Sequence, residues 1–130
     1  RGASGAAKSS PRVMFIGEEP GFLQDIESYL ANGGVEVLTA RTGAEGIDRV
    51  LEGGADLVCL DFRLPEMDGF QAAACLRRFE ADRKIPIFMV ASSDDGRYEK
   101  QAARAGIERF FTKPVDVDTF LTALSEQLAA

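Results

Sequence analysis

The chain has 130 residues, of which 45% are hydrophobic, and this is enough for one domain with a buried core. Its 15 basic and 21 acidic residues give a formal net charge of −6, which argues against direct binding to nucleic acid or to an anionic membrane. No apolar run approaches the roughly 18 residues of a membrane span, and there is no histidine to act as a general base or metal ligand. Cys59 and Cys75 fall within predicted elements, so we expect reduced thiols and a cytoplasmic protein.

The first half of the chain predicts two strands and two helices. Residues 1–11 are rich in Gly, Ala and Ser and are predicted to be a flexible lead, which leaves residues 12–130 as one domain. A buried strand is predicted over residues 13–16, and Pro20 suits the first turn of a helix that ends at Gly33-Gly34. A second strand is predicted over residues 35–39. Thr42 then caps a second helix that runs to Gly53-Gly54.

The second half continues the alternation of strand and helix. An apolar run over residues 57–60 predicts a buried strand that ends on Asp61, and a helix follows over residues 70–79. A fourth strand is predicted over residues 85–90, then a polar turn over 91–96 and a helix over 98–105. A fifth strand is predicted over residues 109–112. The closing amphipathic helix carries Val117, Phe120, Leu121, Leu124 and Leu128.

Five successive β-α units predict a parallel sheet with helices on both faces. The carboxyl ends of parallel strands share one edge of the sheet, where open α/β folds place their sites. The carboxylates after the first and third predicted strands should therefore face the lysine after the fifth strand. The residues predicted at this edge are Gly17-Glu18-Glu19, Thr39-Ala40-Arg41, Asp61, Ala91-Ser92 and Lys113.

Neighbouring carboxylates repel each other unless a proton or a cation lies between them, and Mg²⁺ prefers such oxygen ligands. A lysine at the same place supplies a positive charge for an anion. Together they could support transfer of a phosphoryl group to Asp61. Plainer interpretations are that Asp61 caps a turn, that Lys113 is a solvated loop residue, and that Glu18 and Glu19 are exposed near a helix N-terminus.

The motifs around these residues resemble the receiver domains of two-component response regulators, from about Val13 to the C-terminus. Asp61 falls at the phosphoacceptor position, and Leu64-Pro65-Glu66-Met67-Asp68-Gly69 follows it as in the family. Lys113-Pro114 matches the Lys-Pro of the last strand-to-helix turn. The resemblance implies a doubly wound, flavodoxin-like (βα)5 fold with strand order 2-1-3-4-5.

The same resemblance implies a function and further site residues. It implies Mg²⁺-dependent phosphorylation of Asp61 by a histidine kinase or a phosphotransfer protein, with the domain catalysing at most its own phosphorylation and dephosphorylation. It makes Phe110 the aromatic switch residue and the backbone carbonyl of Arg63 a metal ligand. A downstream protein or fused output domain would bind the face formed by the helix over residues 98–105, the strand near Phe110 and the closing helix.

Two positions depart from the family pattern. Gly17 and Glu18 stand where the family has an acidic pair, so one carboxylate is absent and the other is one methylene longer. The family's switch Thr or Ser aligns with Ala91, which has no hydroxyl, and Ser92 in an extended strand would point to the opposite face. We therefore expect weakened Mg²⁺ binding and weakened switching.

Three classes of function remain open from the sequence. The first is a phosphorylatable receiver, and the second is a pseudo-receiver that binds proteins independently of phosphate. The third is an unrelated α/β enzyme or flavin-binding protein. The acidic residues Glu18 and Glu19 would repel a flavin phosphate. A phosphatase with an Asp nucleophile would normally have a second Asp where Arg63 stands.

Overall fold

The computed structural model describes residues 10–17, 20–80 and 84–129, except for the side chains of residues 20–23 and 25. Five strands lie within this described part: β1 (Arg12–Ile16), β2 (Glu36–Ala40), β3 (Leu57–Asp61), β4 (Ile87–Ala91) and β5 (Arg109–Thr112). All pairings are parallel, and the strand order is β2-β1-β3-β4-β5. The predicted fold class and strand order are confirmed.

Helices connect successive strands. They are α1 (Pro20–Asn32), α2 (Gly43–Arg49) continuing into a π-helical segment (Val50–Gly54), α3 (Gly69–Phe79), a 3-10 helix (Ser93–Tyr98) leading into α4 (Glu99–Arg104), and α5 (Val117–Ala129). The predicted cap of α2 is confirmed, since the Thr42 hydroxyl accepts a hydrogen bond from the Glu45 amide at 3.1 Å. Gly34, just after α1, has φ 82°, a conformation that glycine adopts without steric cost. None of the described helices is long and apolar enough to cross a membrane.

Side chains alternate between two apolar layers, one on each face of the sheet. Met14, Leu60 and Met89 point to the layer under α2, α3 and α4, and their neighbours Val13, Cys59 and Val90 point to the layer under α1 and α5. Because both faces are covered, the central strands read as continuous apolar runs. Full burial of one such side chain contributes about 1.5–3 kcal/mol to stability.

Several predicted boundaries need correction. The second strand spans Glu36–Ala40 instead of 35–39, and the fourth spans Ile87–Ala91 instead of 85–90. The predicted polar turn over 91–96 is wrong, because Ala91 ends β4 and the 3-10 helix begins two residues later. Contacts with distant residues order this polar segment, as described below. Most of the predicted lead, residues 1–9, lies outside the described residues, while the Pro11 carbonyl accepts a hydrogen bond from the Glu36 amide at 2.8 Å.

Candidate functional site

Asp61 and Lys113 approach each other at the carboxyl edge of the sheet, across the end of β4. The Phe62 amide donates to the Val90 carbonyl and the Lys113 amide donates to the Ala91 carbonyl, both at 2.8 Å. These bonds extend the ladders on both sides of β4 and bring the two side chains together. Lys113 Nζ lies 3.9 Å from Asp61 Oδ1, and the side chains are 32% and 20% exposed, respectively. The carboxylate is therefore open to solvent and lies beside a cation.

Gly17 lies directly against the Asp61 carboxylate. Its amide donates to the Ala40 carbonyl at 2.9 Å, which extends the pairing of β1 with β2 by one residue. A Cβ added at Gly17 would collide with Asp61 Oδ2 and lie 2.7 Å from Asp61 Cγ. The Asp61 carboxylate thus occupies space that a side chain at residue 17 would need.

Only part of the predicted metal-ligand set lies within the described residues. The Asp61 carboxylate and the Arg63 backbone carbonyl are hard oxygen donors of the type that Mg²⁺ prefers. Glu18 and Glu19, the predicted acidic ligands, lie outside the described residues. Among the residues that are described, no cluster of three or more His, Cys, Asp and Glu could hold a metal ion. The oxygen donors of Asp61 and Arg63 are of the kind that fits Mg²⁺.

Two of the predicted switch residues, Ala91 and Phe110, belong to the apolar layer under α2, α3 and α4. Ala91 is 2% exposed, and its methyl group offers no hydrogen-bond donor. Phe110 pairs in register with Met89, is half-buried and packs against the apolar layer that contains Ala91. Ser92 follows β4, and its hydroxyl lies 3.2 Å from Asp95 Oδ2. That hydroxyl is therefore already engaged by a carboxylate.

The motif after Asp61 builds the start of α3. Asp68 forms a capping box: its carboxylate accepts from the Gln71 amide at 2.9 Å, and its own amide donates to the Gln71 side chain at 2.8 Å. A Cβ at Gly69 would lie 2.7 Å from Met89 Cε and 3.1 Å from the Asp61 carbonyl oxygen. A side chain at residue 69 would crowd this backbone, because α3 begins directly against the site.

Sequence reasoning missed Asp95. It lies in a polar run, yet it is 1% exposed, and Arg63 donates two hydrogen bonds to its carboxylate. The hydrogen bonds from Arg63 are the main cause that lowers the pKa of Asp95 below its usual value. No periodicity marks this residue, because its partner stands 32 positions earlier in the chain.

Cys59 lies in the buried strand that leads to Asp61. It is 4% exposed, and both it and Cys75 are free thiols, as predicted. Burial raises the pKa of the Cys59 thiol, and the negative charge of Asp61 raises it further. A thiol kept protonated in this way is a core residue and a poor nucleophile.

Known proteins place this geometry in a family. The profile described as "Response regulator receiver domain" matches residues 13–125. Protein PilH of Pseudomonas aeruginosa is 28% identical over 118 residues, 91% of this chain and 98% of PilH. The transcriptional regulatory protein KdpE of Mycobacterium tuberculosis is 33% identical over 112 residues, 86% of this chain and 48% of KdpE.

Solved structures agree on the fold. The crystal structure of a CheY-like response regulator receiver domain protein from Methanospirillum hungatei superposes with a TM-score of 0.81. Its sequence identity is 22%, and the match covers 93% of this chain and 95% of that one.

The chain spans only 26% of another relative, the transcriptional regulatory protein GlrR of Escherichia coli, which is 30% identical over 116 residues.

Proposed function

Because this chain belongs to the response regulator receiver domain family, we propose that Asp61 accepts a phosphoryl group from a histidine kinase or a phosphotransfer protein. The observation that carries this proposal is the position of the Asp61 carboxylate, 3.9 Å from Lys113 Nζ and partly exposed. A nucleophilic oxygen, a nearby cation and solvent access all favour transfer of a phosphoryl group to a carboxylate.

In the proposed reaction an Asp61 carboxylate oxygen attacks the phosphorus of a phosphohistidine. The new P–O bond forms as the P–N bond breaks, and the electron pair goes to the imidazole, which leaves as a neutral group because its other ring nitrogen carries a proton. The product is an acyl phosphate on Asp61. Lys113 stabilises the negative charge on the phosphoryl oxygens, and such electrostatic stabilisation contributes most of the catalysis in phosphoryl transfer. The domain acts on its own residue and is not proposed to turn over another substrate.

We propose that Mg²⁺ assists this reaction and is weakly bound. Asp61 and the Arg63 carbonyl would hold it together with Glu18, with Glu19 as the alternative second carboxylate. When bound, the ion neutralises negative charge on the transferring group. Gly17 contributes no ligand, and this absence is the reason for the expected weak affinity.

The output of the domain is proposed to pass through the surface formed by α4, β5 and α5. A downstream protein or a fused output domain would bind there, without direct contact to nucleic acid. We assign residues 12–130 to the receiver domain and residues 1–11 to a lead segment.

A second candidate function is a protein-interaction module that is independent of phosphate. Two observations favour it: Ala91 offers no hydroxyl to a phosphoryl group, and Phe110 is already half-buried against the layer under α4. Neither observation involves the Asp61 carboxylate itself, so this function is compatible with a carboxylate that can still be modified.

The proposed phosphorylation of Asp61 is tested by incubating the protein with Mg²⁺ and a small phosphodonor such as acetyl phosphate. Intact mass spectrometry should show one added phosphate, stable in acid and labile in base. Asp61→Asn should gain none. Wild-type protein that gains no phosphate at saturating donor would favour the phosphate-independent module.

A further inference from the structure

A buried carboxylate joins the segment after β4 to the segment after β3. Asp95 Oδ2 accepts from Arg63 Nε at 2.8 Å and from the Ser92 hydroxyl at 3.2 Å, and Asp95 Oδ1 accepts from Arg63 Nη2 at 2.9 Å. Asp95 is 1% exposed, whereas the Arg63 side chain is 72% exposed. A buried carboxylate is unfavourable unless it is paired and hydrogen-bonded, and the planar guanidinium does both in one bidentate contact.

A second contact connects the same two segments. The Phe62 ring stacks on Tyr98 with centroids 4.9 Å apart and planes 25° apart, and Phe70 packs edge-on against both rings. Phe62 and Arg63 are the two residues that follow Asp61. Between them they hold both ends of the 3-10 helix, Asp95 in its first turn and Tyr98 at its last residue.

The segment after Asp61 is therefore connected to the segment before α4 through Phe62 and Arg63. It is not connected through a hydroxyl group at the end of β4. Ala91 cannot make such a link, and the neighbouring Ser92 hydroxyl is bonded to Asp95. Arg63 also packs over the Phe62 ring, with its guanidinium carbon 5.7 Å from the ring centroid. The ion pair of Asp95 and the ring stacking of Tyr98 therefore both involve the two residues that follow Asp61.

We propose that Arg63, Ser92 and Asp95 form a loop clamp that fixes the 3-10 helix and α4 in one position without a phosphoryl group. Arg63 is the positioning residue, because the buried Asp95 carboxylate would lose its charged hydrogen-bond donor if the guanidinium moved away. The clamp also withholds the Ser92 hydroxyl from the site. This inference rests on the proposed function only in treating α4 as part of the output surface; the clamp itself requires no modification of Asp61.

Hydrogen exchange on the unmodified 130-residue chain tests the clamp. Arg63→Gln should speed amide exchange across residues 93–104 by about tenfold, since the carboxylate loses its charged donor. Asp95→Asn should act on the same segment. The double variant should exchange no faster than the faster single variant, because both substitutions break one interaction. Arg63→Lys, which keeps the charge but not the bidentate geometry, should fall between wild type and Arg63→Gln.

The matched control is Arg97→Gln, in the same 3-10 helix. Arg97 donates to the Asp94 carbonyl and to the Tyr98 hydroxyl, both within its own segment, and so it does not join the two loops. Exchange in Arg63→Gln that equals the control, or that rises equally in β1, β3 and α5, would overturn the clamp. Additive effects in the double variant would overturn it too. Because no phosphodonor is used, failure of Asp61 phosphorylation would leave this result unaffected.

Discussion

Gly17 and Asp61 lie so close that a single added carbon on the glycine would displace the carboxylate that we propose as the phosphoacceptor. The family resemblance alone treats Gly17 as a missing metal ligand. The structure adds that its small size leaves the Asp61 carboxylate room to occupy its present position. A metal-binding side chain at residue 17 would therefore require the Asp61 carboxylate to move from this position.

Restoring an acid at this position should strengthen metal binding. Gly17→Asp adds a carboxylate, and we expect Mg²⁺ to bind about tenfold more tightly, or ~1.4 kcal/mol, once the Asp61 side chain has rotated away. Gly17→Ala is the control, because it causes the same collision without adding a ligand and should weaken binding or leave it unchanged. Calorimetric titration measures both. Equal affinities in the two variants would contradict the role assigned to Gly17.

Restoring the hydroxyl at the end of β4 should restore part of the switch. Ala91→Thr supplies a donor for a charged phosphoryl group, worth about 1.5–3 kcal/mol. A complete two-state switch takes about 5.5 kcal/mol, so we expect partial coupling only. Ala91→Val has the same shape without the hydroxyl. With a phosphate analogue bound, amide shifts over residues 107–113 and α4 should change in Ala91→Thr and stay small in wild type and Ala91→Val.

That measurement also tests the position of Phe110. We expect the Phe110 ring to be held inward with or without phosphate. The amide shifts of residues 107–113 in wild-type protein should then stay unchanged, and any changes should be confined to the neighbourhood of Asp61. A ligand that does not distinguish two states cannot shift the balance between them. Large wild-type changes in β5 and α4 would show that the output surface does respond to the site.

Acid should remove the contribution of the clamp. Asp95 has a lowered pKa, chiefly through the hydrogen bonds from Arg63, with smaller contributions from Ser92 and the charge of Arg97. A lowered carboxyl pKa stabilises the fold above the unfolded value of about 3.9, and this stabilisation is lost as the pH falls through the folded value. Arg63→Gln should thus be less stable than wild type at pH 7, and the difference should shrink below about pH 4. Urea unfolding at each pH measures it, and a difference that persists unchanged in acid would refute this assignment.

The close approach of α3 to the site should make residue 69 intolerant of any side chain. Gly69→Ala places a carbon 2.7 Å from Met89 Cε and 3.1 Å from the Asp61 carbonyl oxygen, and we expect a loss of about 1–3 kcal/mol in unfolding free energy. Gly33→Ala is the control, since the nearest atom to its added carbon is 3.4 Å away. Denaturant unfolding of both variants gives the comparison. Equal stabilities would show that the helix shifts without cost.

The central strands were predictable from the sequence, whereas the clamp was not. Strands β3 and β4 are covered on both faces, so Leu57 and Ile87 each begin an uninterrupted apolar run. The bounds of β2 were predicted one residue too early, and β4 begins two residues later than predicted because the buried Ile85 before it extends the apolar run. The 3-10 helix is ordered by Phe62 and Arg63, which stand about 30 positions earlier, and local sequence patterns carry no information about such partners.

Reductive trapping with borohydride identifies the modified residue most directly. Borohydride converts an aspartyl phosphate to homoserine, and peptide mass spectrometry then locates the changed residue. After treatment with acetyl phosphate and Mg²⁺, we expect homoserine at residue 61 alone, and none in Asp61→Asn or in samples lacking phosphodonor. Homoserine at Asp56, Asp68 or another carboxylate, or its persistence in Asp61→Asn, would contradict the assignment of Asp61 as the phosphoacceptor.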